Sequence, residues 1–210
     1  LAEGYSIPTV SEPIDLSKID FDVLKAGFDK SKKRIEIEKL KASIKAELEK
    51  MLRANKTRSD LVKKFQDLID EYNAGSKNLD ELFKQLVLFT QDLKEEEKRS
   101  IKENLSEEEL TVFDLLTKPN PKLSKDEEIK VKKGAKKLIE SLKNEKLVLD
   151  WRKKAQTRAI VYETIEDVLN DELPEVYTKD IFQQKCGLVY QHIYDSYYGE
   201  GKSIYSSLSL

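Results

Sequence analysis

Apolar side chains recur at steps of three and four residues along most of this chain, and that rhythm belongs to a helix. Ile37, Leu40, Ile44, Leu48 and Met51 set the pattern. With 3.6 residues per turn, such steps line one face and leave the rest for solvent. Seven Gly and five Pro among 210 residues are few, which argues against a turn-rich all-β fold. Hydrophobic residues make up 39% and charged residues 37%, so a core can form and must be wrapped in charged helix faces.

The first helix with this pattern is expected near Asp29 to Ala54, broken by Asn55 to Thr57. A second, near Arg58 to Ala74, is expected to bury Leu61, Phe65, Leu68 and Tyr72, with Gly75 as a left-handed stop. Asn78 caps a third, which turns Leu79, Leu82, Phe83, Leu86, Phe89 and Leu93 to one side. Ser106-Glu107-Glu108-Glu109 has capping-box spacing and opens a short fourth helix ending near Leu116. Thr117-Lys118-Pro119-Asn120-Pro121 then forbids a continuous helix. A second capping box, Ser124 to Glu127, starts a helix that carries Val131, Ala135, Leu138 and Leu142 inward. A helix is predicted from Leu147 to Asn170, with Trp151, Ala155, Ala159, Tyr162, Ile165 and Leu169 on one face, ended by Leu173-Pro174. In the last, opened by Thr178, Phe182, Cys186, Val189, Ile193 and Tyr197 recur at helical spacing.

The fold class is therefore all-α, in two packed helical groups. The organisation reads as an extended lead-in over 1–18, where Pro8 and Pro13 interrupt helix, and a helical domain over 19–117. A linker over 118–124, a C-terminal helical domain over 125–198 and a flexible tail over 199–210 complete it. The chain starts at Leu1 and its only Met is Met51, so it is read as a piece of a longer protein.

Formal net charge is −2, so bulk charge does not call for nucleic acid. One Cys excludes an internal disulfide framework and a cysteine-rich zinc site, and the reducing cytoplasm is the simplest home. No apolar run approaches the roughly 20 residues of a membrane span. Gly201-Lys202-Ser203 resembles the end of a P-loop, but the first glycine of that motif would fall on Ser196, and only seven residues follow Ser203. Cys186 and His192 lie six apart on one helix, pointing about 240° apart, so they cannot form a nucleophile and base there. Cys186 is expected to pack as a small apolar residue, and His192 to sit on the helix surface beside Gln191. No catalytic residue, metal ligand or cofactor is assigned.

Leu147 to Tyr198 holds the only Trp, the only Cys, the only His and six of the nine Tyr. Arg152, Lys153, Lys154 and Arg158 beside Trp151 can grip phosphates or partner carboxylates, or form a solvated face. The same two readings stand for Lys132, Lys133 and Lys136, which Glu127, Glu128, Glu140 and Glu145 can balance. Tyr194 and Tyr198 lie four apart and widen the aromatic band beyond one buried stripe, which suits contact with a partner; Trp151 is expected to be structural.

Taken in order, Asp150-Trp151-Arg152-Lys153-Lys154, Arg158-Ala159, Ile165-Glu166-Asp167-Val168-Leu169, Leu173-Pro174 and His192-Ile193-Tyr194-Asp195-Ser196-Tyr197-Tyr198 resemble the C-terminal end of type I restriction endonuclease R (motor, HsdR) subunits. Asp80-Glu81-Leu82-Phe83 and Leu110 to Leu116 fit the helical region after the second motor domain of that family. The family joins a nuclease domain, two RecA-like ATPase domains, a helical domain and a variable C-terminal region. No Pro here is followed by Asp, and no P-loop is present, so neither the nuclease nor the motor residues carry over. The resemblance implies attachment. The expected role is a non-catalytic assembly and DNA-contact module, a monomer whose partners are the methyltransferase (M) and specificity (S) subunits and double-stranded DNA, with no membrane. A helical protein-binding scaffold without a nucleic-acid role is the alternative.

Overall fold

The computed structural model describes residues 16, 20–30 and 33–207. The lead-in expected over 1–18 lies outside the described residues except for Leu16. Among the described residues the order is α1 (Phe21–Lys30), α2 (Lys33–Ala54), a 3₁₀ turn (Lys56–Arg58), α3 (Ser59–Asn73), α4 (Leu79–Glu97), α5 (Arg99–Lys102), α6 (Glu107–Thr117), α7 (Lys125–Ser141), a π turn (Leu142–Lys146), α8 (Ala155–Glu172) and α9 (Lys179–Ser196). A two-stranded hairpin, β1 (Tyr197–Gly199) with β2 (Lys202–Ser203), and a 3₁₀ turn over Tyr205–Ser207 follow. Among the described residues the fold is all-α apart from this small sheet.

The chain divides into two compact units, but not at the paired prolines. One unit is Leu1–Lys50 with Asp60–Glu97; the other is Met51–Ser59 with Lys98–Leu210. The segment 118–124 lies inside the second unit, between α6 and α7, which pack on each other.

In the first unit, the predicted stripe of α2 is buried at Ile37, Leu40, Ile44 and Leu48. That helix begins at Lys33 and follows a separate α1, so the single helix expected from Asp29 is two. Phe28 of α1 stacks on Phe83 of α4 with centroids 3.7 Å apart. α4 starts on the expected Asn78 cap, where Asn78 Oδ1 accepts from Glu81 N at 3.0 Å and Glu81 answers to Asn78 N at 2.9 Å. α3 departs from expectation: Leu61, Phe65, Leu68 and Tyr72 are half-buried, and no residue of the helix is fully buried. It lies at the surface of its unit, with Phe65 against Phe89. Gly75 ends it at φ 77°.

In the second unit, α6, α7, α8 and α9 pack in a closed cycle, each on the next and α9 back on α6. Both capping boxes form as expected, at Ser106–Glu109 and Ser124–Glu127. The core takes Val112 and Leu116 from α6, Val131, Ala135 and Leu138 from α7, Ile165 and Leu169 from α8, and Cys186, Val189 and Ile193 from α9. Burial pushes the Cys186 thiol up to about 12, which makes it an inert packing group. Gly134 lets α7 approach α8 closely, since a Cβ there would stand 3.1 Å from Glu172 Cβ.

A buried polar cluster fastens the Met51–Ser59 segment into this unit. Asp114, 1% exposed, accepts from Asn55 Nδ2 at 2.8 Å and Thr57 Oγ1 at 3.2 Å, and pairs with Arg99. Arg58 pairs with Glu107 beside it. The sequence pattern shows none of this, because every partner is remote in the chain.

The C-terminal segment also departs from expectation. α9 stops at Ser196, so Tyr197 and Tyr198 belong to β1. The supposed tail over 199–207 is ordered as the hairpin and its 3₁₀ turn; 208–210 lie outside the described residues. Tyr205 returns over α9, and its hydroxyl donates to Ala54 O at 2.9 Å. That return buries His192, which was expected at the surface. His192 Nε2 lies 2.9 Å from the Tyr205 hydroxyl and Nδ1 lies 3.2 Å from Ser196 Oγ. Since the tyrosine proton points at Ala54, the arrangement assigns the proton of the neutral ring to Nε2. Burial, with the nearby Lys56 charge, lowers the His192 pKa to about 4, against a smaller opposing effect of Asp195.

Two stability measurements check this architecture. Asp114→Ala removes the buried carboxylate on which Arg99, Asn55 and Thr57 converge, and is expected to cost roughly 3 kcal/mol in urea unfolding; a loss below about 1 kcal/mol would contradict it. His192 takes up a proton when the chain unfolds, because its folded pKa lies below the unfolded value of 6.5. Its stabilising contribution is therefore complete above pH 6.5 and is lost as pH falls towards 4, by at most about 3 kcal/mol. Replacing it in His192→Gln should flatten the pH dependence of the unfolding free energy in that window, and an unchanged slope would refute the buried neutral ring.

Candidate interface around the Trp151 turn

Leu147 to Lys154 is a turn rather than the start of a helix, and α8 begins only at Ala155. Asp150 takes a left-handed φ of 58°, which no helix continues through. The predicted face holds at Ile165 and Leu169 and fails at Ala155 and Ala159, which are exposed; α8 buries Val161 and Val168 as well. Alanines matched the spacing but carry too little apolar surface to set which face turns inward.

Trp151 is fully buried, in the structural role expected of it. Its indole N–H donates to Tyr197 O at 3.1 Å, and Tyr194 meets its ring edge-on at 5.9 Å. The hairpin lies directly against the turn. Glu200 N donates to Leu147 O at 3.2 Å, and a Cβ on Gly199 would fall 2.5 Å from Val148 O.

The four basic candidates beside Trp151 separate into two kinds. Arg152 donates to Tyr194 O at 3.2 Å and lies 4.8 Å from the Tyr198 ring centroid and 5.6 Å from that of Tyr194. Arg158 donates to Arg152 O at 2.7 Å. Both arginines brace the turn. Lys153 and Lys154 are exposed, and Lys153 pairs with Asp150, three residues before it, at 2.8 Å. Tyr194 is half-buried inside the aromatic cluster, whereas Tyr198 is 45% exposed. Two residues missed in the sequence join it at the surface: Val148 and Leu149, 50% and 60% exposed. They look like core in a helical reading, and only the turn brings them out.

The α7 lysines stand apart from this turn. Lys132 pairs with Glu103 and lies over the Phe113 ring at 5.4 Å. Lys133 and Lys137 share Glu172 at 3.0 and 2.9 Å, which lowers the Glu172 pKa and raises that of Lys137. Lys136 is half-buried. Lys185, unnoticed in the sequence, is buried and donates to Leu115 O at 2.8 Å and Lys118 O at 2.7 Å; burial lowers its pKa. Gly201-Lys202-Ser203 is a hairpin turn followed by β2, so the strand, loop and helix that a P-loop needs are not there. Among the described residues no cluster of three or more His, Cys, Asp or Glu is placed to hold a metal ion, and no helix is long and apolar enough to cross a membrane.

The family described as Type I restriction enzyme HindI endonuclease subunit-like, C-terminal, matches residues 8–195. The chain belongs to this family of C-terminal domains of type I restriction enzyme endonuclease subunits. No curated protein and no solved structure matches it.

The close fit of hairpin on turn has a direct check. Gly199→Ala places a methyl group against Val148 O at a φ of 94°, and is expected to cost about 3 kcal/mol. Gly201→Ala, at φ 73° in open space, should cost only about 1 kcal/mol. Equal losses in thermal unfolding would mean that the hairpin does not press on the turn.

Proposed function

We propose that this chain is a non-catalytic assembly and DNA-contact module of a type I restriction enzyme motor subunit. On this reading it works in the cytoplasm and docks the ATP-dependent translocase and endonuclease onto the methyltransferase core, formed by M and S subunits. Membership of the family supplies the parent. The observation that carries the rest is the rigid Trp151 turn, which presents Lys153 and Lys154 next to Val148, Leu149 and Tyr198. Exposed lysines on a braced turn can meet phosphates without reorganising the fold. An exposed ion pair such as Lys153–Asp150 contributes little and can be exchanged for a phosphate. The apolar side chains beside them suit the centre of a protein contact with the core subunits. Lys132 and Lys133 already meet carboxylates, so they add less to DNA attraction.

Duplex binding followed by fluorescence anisotropy over a salt series tests the DNA contact. Removing both phosphate-facing charges in Lys153→Ala/Lys154→Ala should reduce the slope of log affinity against log salt by about 1.8. An unchanged slope removes DNA from this turn. No binding of duplex even at low salt favours the scaffold alternative. Docking is measured separately, by capture on the methyltransferase core with Leu149→Asp as control. A chain that neither binds the core nor competes with the intact motor subunit is not the docking module.

A further inference from the structure

A groove of about 710 Å³ opens between α1 and α4 within the first unit, away from every residue to which a function has been given above. Its floor is apolar. Phe28 and Phe83, stacked on each other, and Val87 form it, and Leu88, 59% exposed, continues this surface into solvent. Its rim is basic, with Lys25, Lys33 and Lys84 against the single carboxylate of Asp80. Lys33 is held by Asp80 at 2.6 Å and lies over the Phe28 ring at 5.0 Å, so the net positive charge comes from Lys25 and Lys84, both exposed. A divalent cation does not suit three lysines, and a phosphate would be desolvated against aromatic carbon. An extended segment with apolar side chains on one face and carboxylates on another satisfies floor and rim together.

The chain carries such a segment ahead of α1, in residues that lie outside the described ones. Up to Ser17 it holds Glu3, Glu12 and Asp15 and no Lys or Arg. Ile7, Val10, Pro13 and Leu16 recur every three residues, and so do Glu12 and Asp15. Three residues make one turn of polyproline II, the backbone form that proline favours and that docks into aromatic-lined grooves. In that form the four apolar residues share one face and the two carboxylates another. Leu16, the last of the apolar four, is buried. From Phe21 to Phe28 is about 11 Å of helix, and Ile7 to Leu16 spans about 28 Å, so the segment is long enough to run back along the groove. We propose that residues 7–15 lie in this groove as a strap, with Ile7, Val10 and Pro13 on the apolar floor and Glu12 and Asp15 toward Lys25 and Lys84. The strap covers Leu88 and closes the groove to other chains. It does not depend on the contacts proposed at the Trp151 turn.

Methyl NMR of Val87 and Leu88 in the full chain tests this. Ile7→Asp/Val10→Asp is expected to shift the methyl resonances of both, although the substitutions are remote from them in the chain. A peptide of residues 5–16 added to this variant should restore the original shifts saturably, with affinity about tenfold weaker once Lys25→Glu/Lys84→Glu is introduced. The unsubstituted chain, its groove filled, should not respond to the peptide. Methyl resonances unmoved by Ile7→Asp/Val10→Asp overturn the proposal, and so does a peptide that binds the unsubstituted and the variant chain alike. Methyl shifts of the unsubstituted chain that depend on its concentration place a second copy in the groove, which equally overturns it.

Discussion

The burial of Trp151 governs the C-terminal part of this molecule. A fully enclosed indole needs an acceptor for its N–H, and the one it takes is Tyr197 O at the first residue of β1. That bond draws the hairpin down onto the Leu147–Lys154 turn and leaves space for no Cβ at residue 199. With the hairpin in place, Tyr198 comes under the Arg152 guanidinium, and Arg152 reaches Tyr194 O. The exposed cations, Lys153, Lys154 and Lys202, then occupy fixed places on one turn and one strand. Truncating a buried Trp costs about 3–5 kcal/mol in general. Here the loss would also free the turn, because the indole holds both segments.

A common device satisfies the ends of the helices. The last carbonyls of a helix have no partner within it, and burying them requires donors from elsewhere. At the end of α6, Lys185 donates to Leu115 O and Lys118 O, and the Tyr177 hydroxyl to Leu116 O. At the end of α2, Ala54 O accepts from Tyr205 and Thr111. At the end of α9, Arg152 serves Tyr194 O, Trp151 serves Tyr197 O, and Ile204 N serves Ser196 O. Trp151, Arg152, Tyr177, Lys185 and Tyr205, among the aromatic and basic residues concentrated between 147 and 205, are such caps. Their chemistry looks like a binding surface in one dimension and proves to be internal in three.

What was legible in the sequence follows from the range of the interactions. The boundaries of α4, α6 and α7 rest on caps whose partners lie three residues apart, so Asn78, Ser106 and Ser124 announce them. The stripe of α2 and the inward face of α7 rest on strong apolar spacing. Several of the failures involve remote partners, and others a local break in the helical rhythm. His192 is buried by Tyr205, thirteen residues on, and Asp114 by Asn55, far upstream. Trp151 lies one helical turn before Ala155, which made a turn look like the start of α8. The exposure of the candidate residues was half legible: Lys153 and Lys154 are exposed as a surface needs, but Arg152 and Arg158 brace the fold, and Val148 and Leu149 were invisible in a helical reading.

This division of labour bears on what kind of DNA contact such a surface can make. A guanidinium presents a planar fork that matches the edge of a guanine, and bidentate arginine contacts are the commonest means of reading sequence. Here one N–H of each of Arg152 and Arg158 is committed to a backbone carbonyl, and Arg152 is further fixed over Tyr198. The exposed cations are lysines on flexible stems, compact charges that suit phosphates and carry no base code. On the proposed reading the turn therefore holds duplex by its backbone, in proportion to the number of phosphates met and with a strong salt dependence. On that same reading, such a grip holds DNA of any sequence and leaves recognition to be supplied from outside this turn.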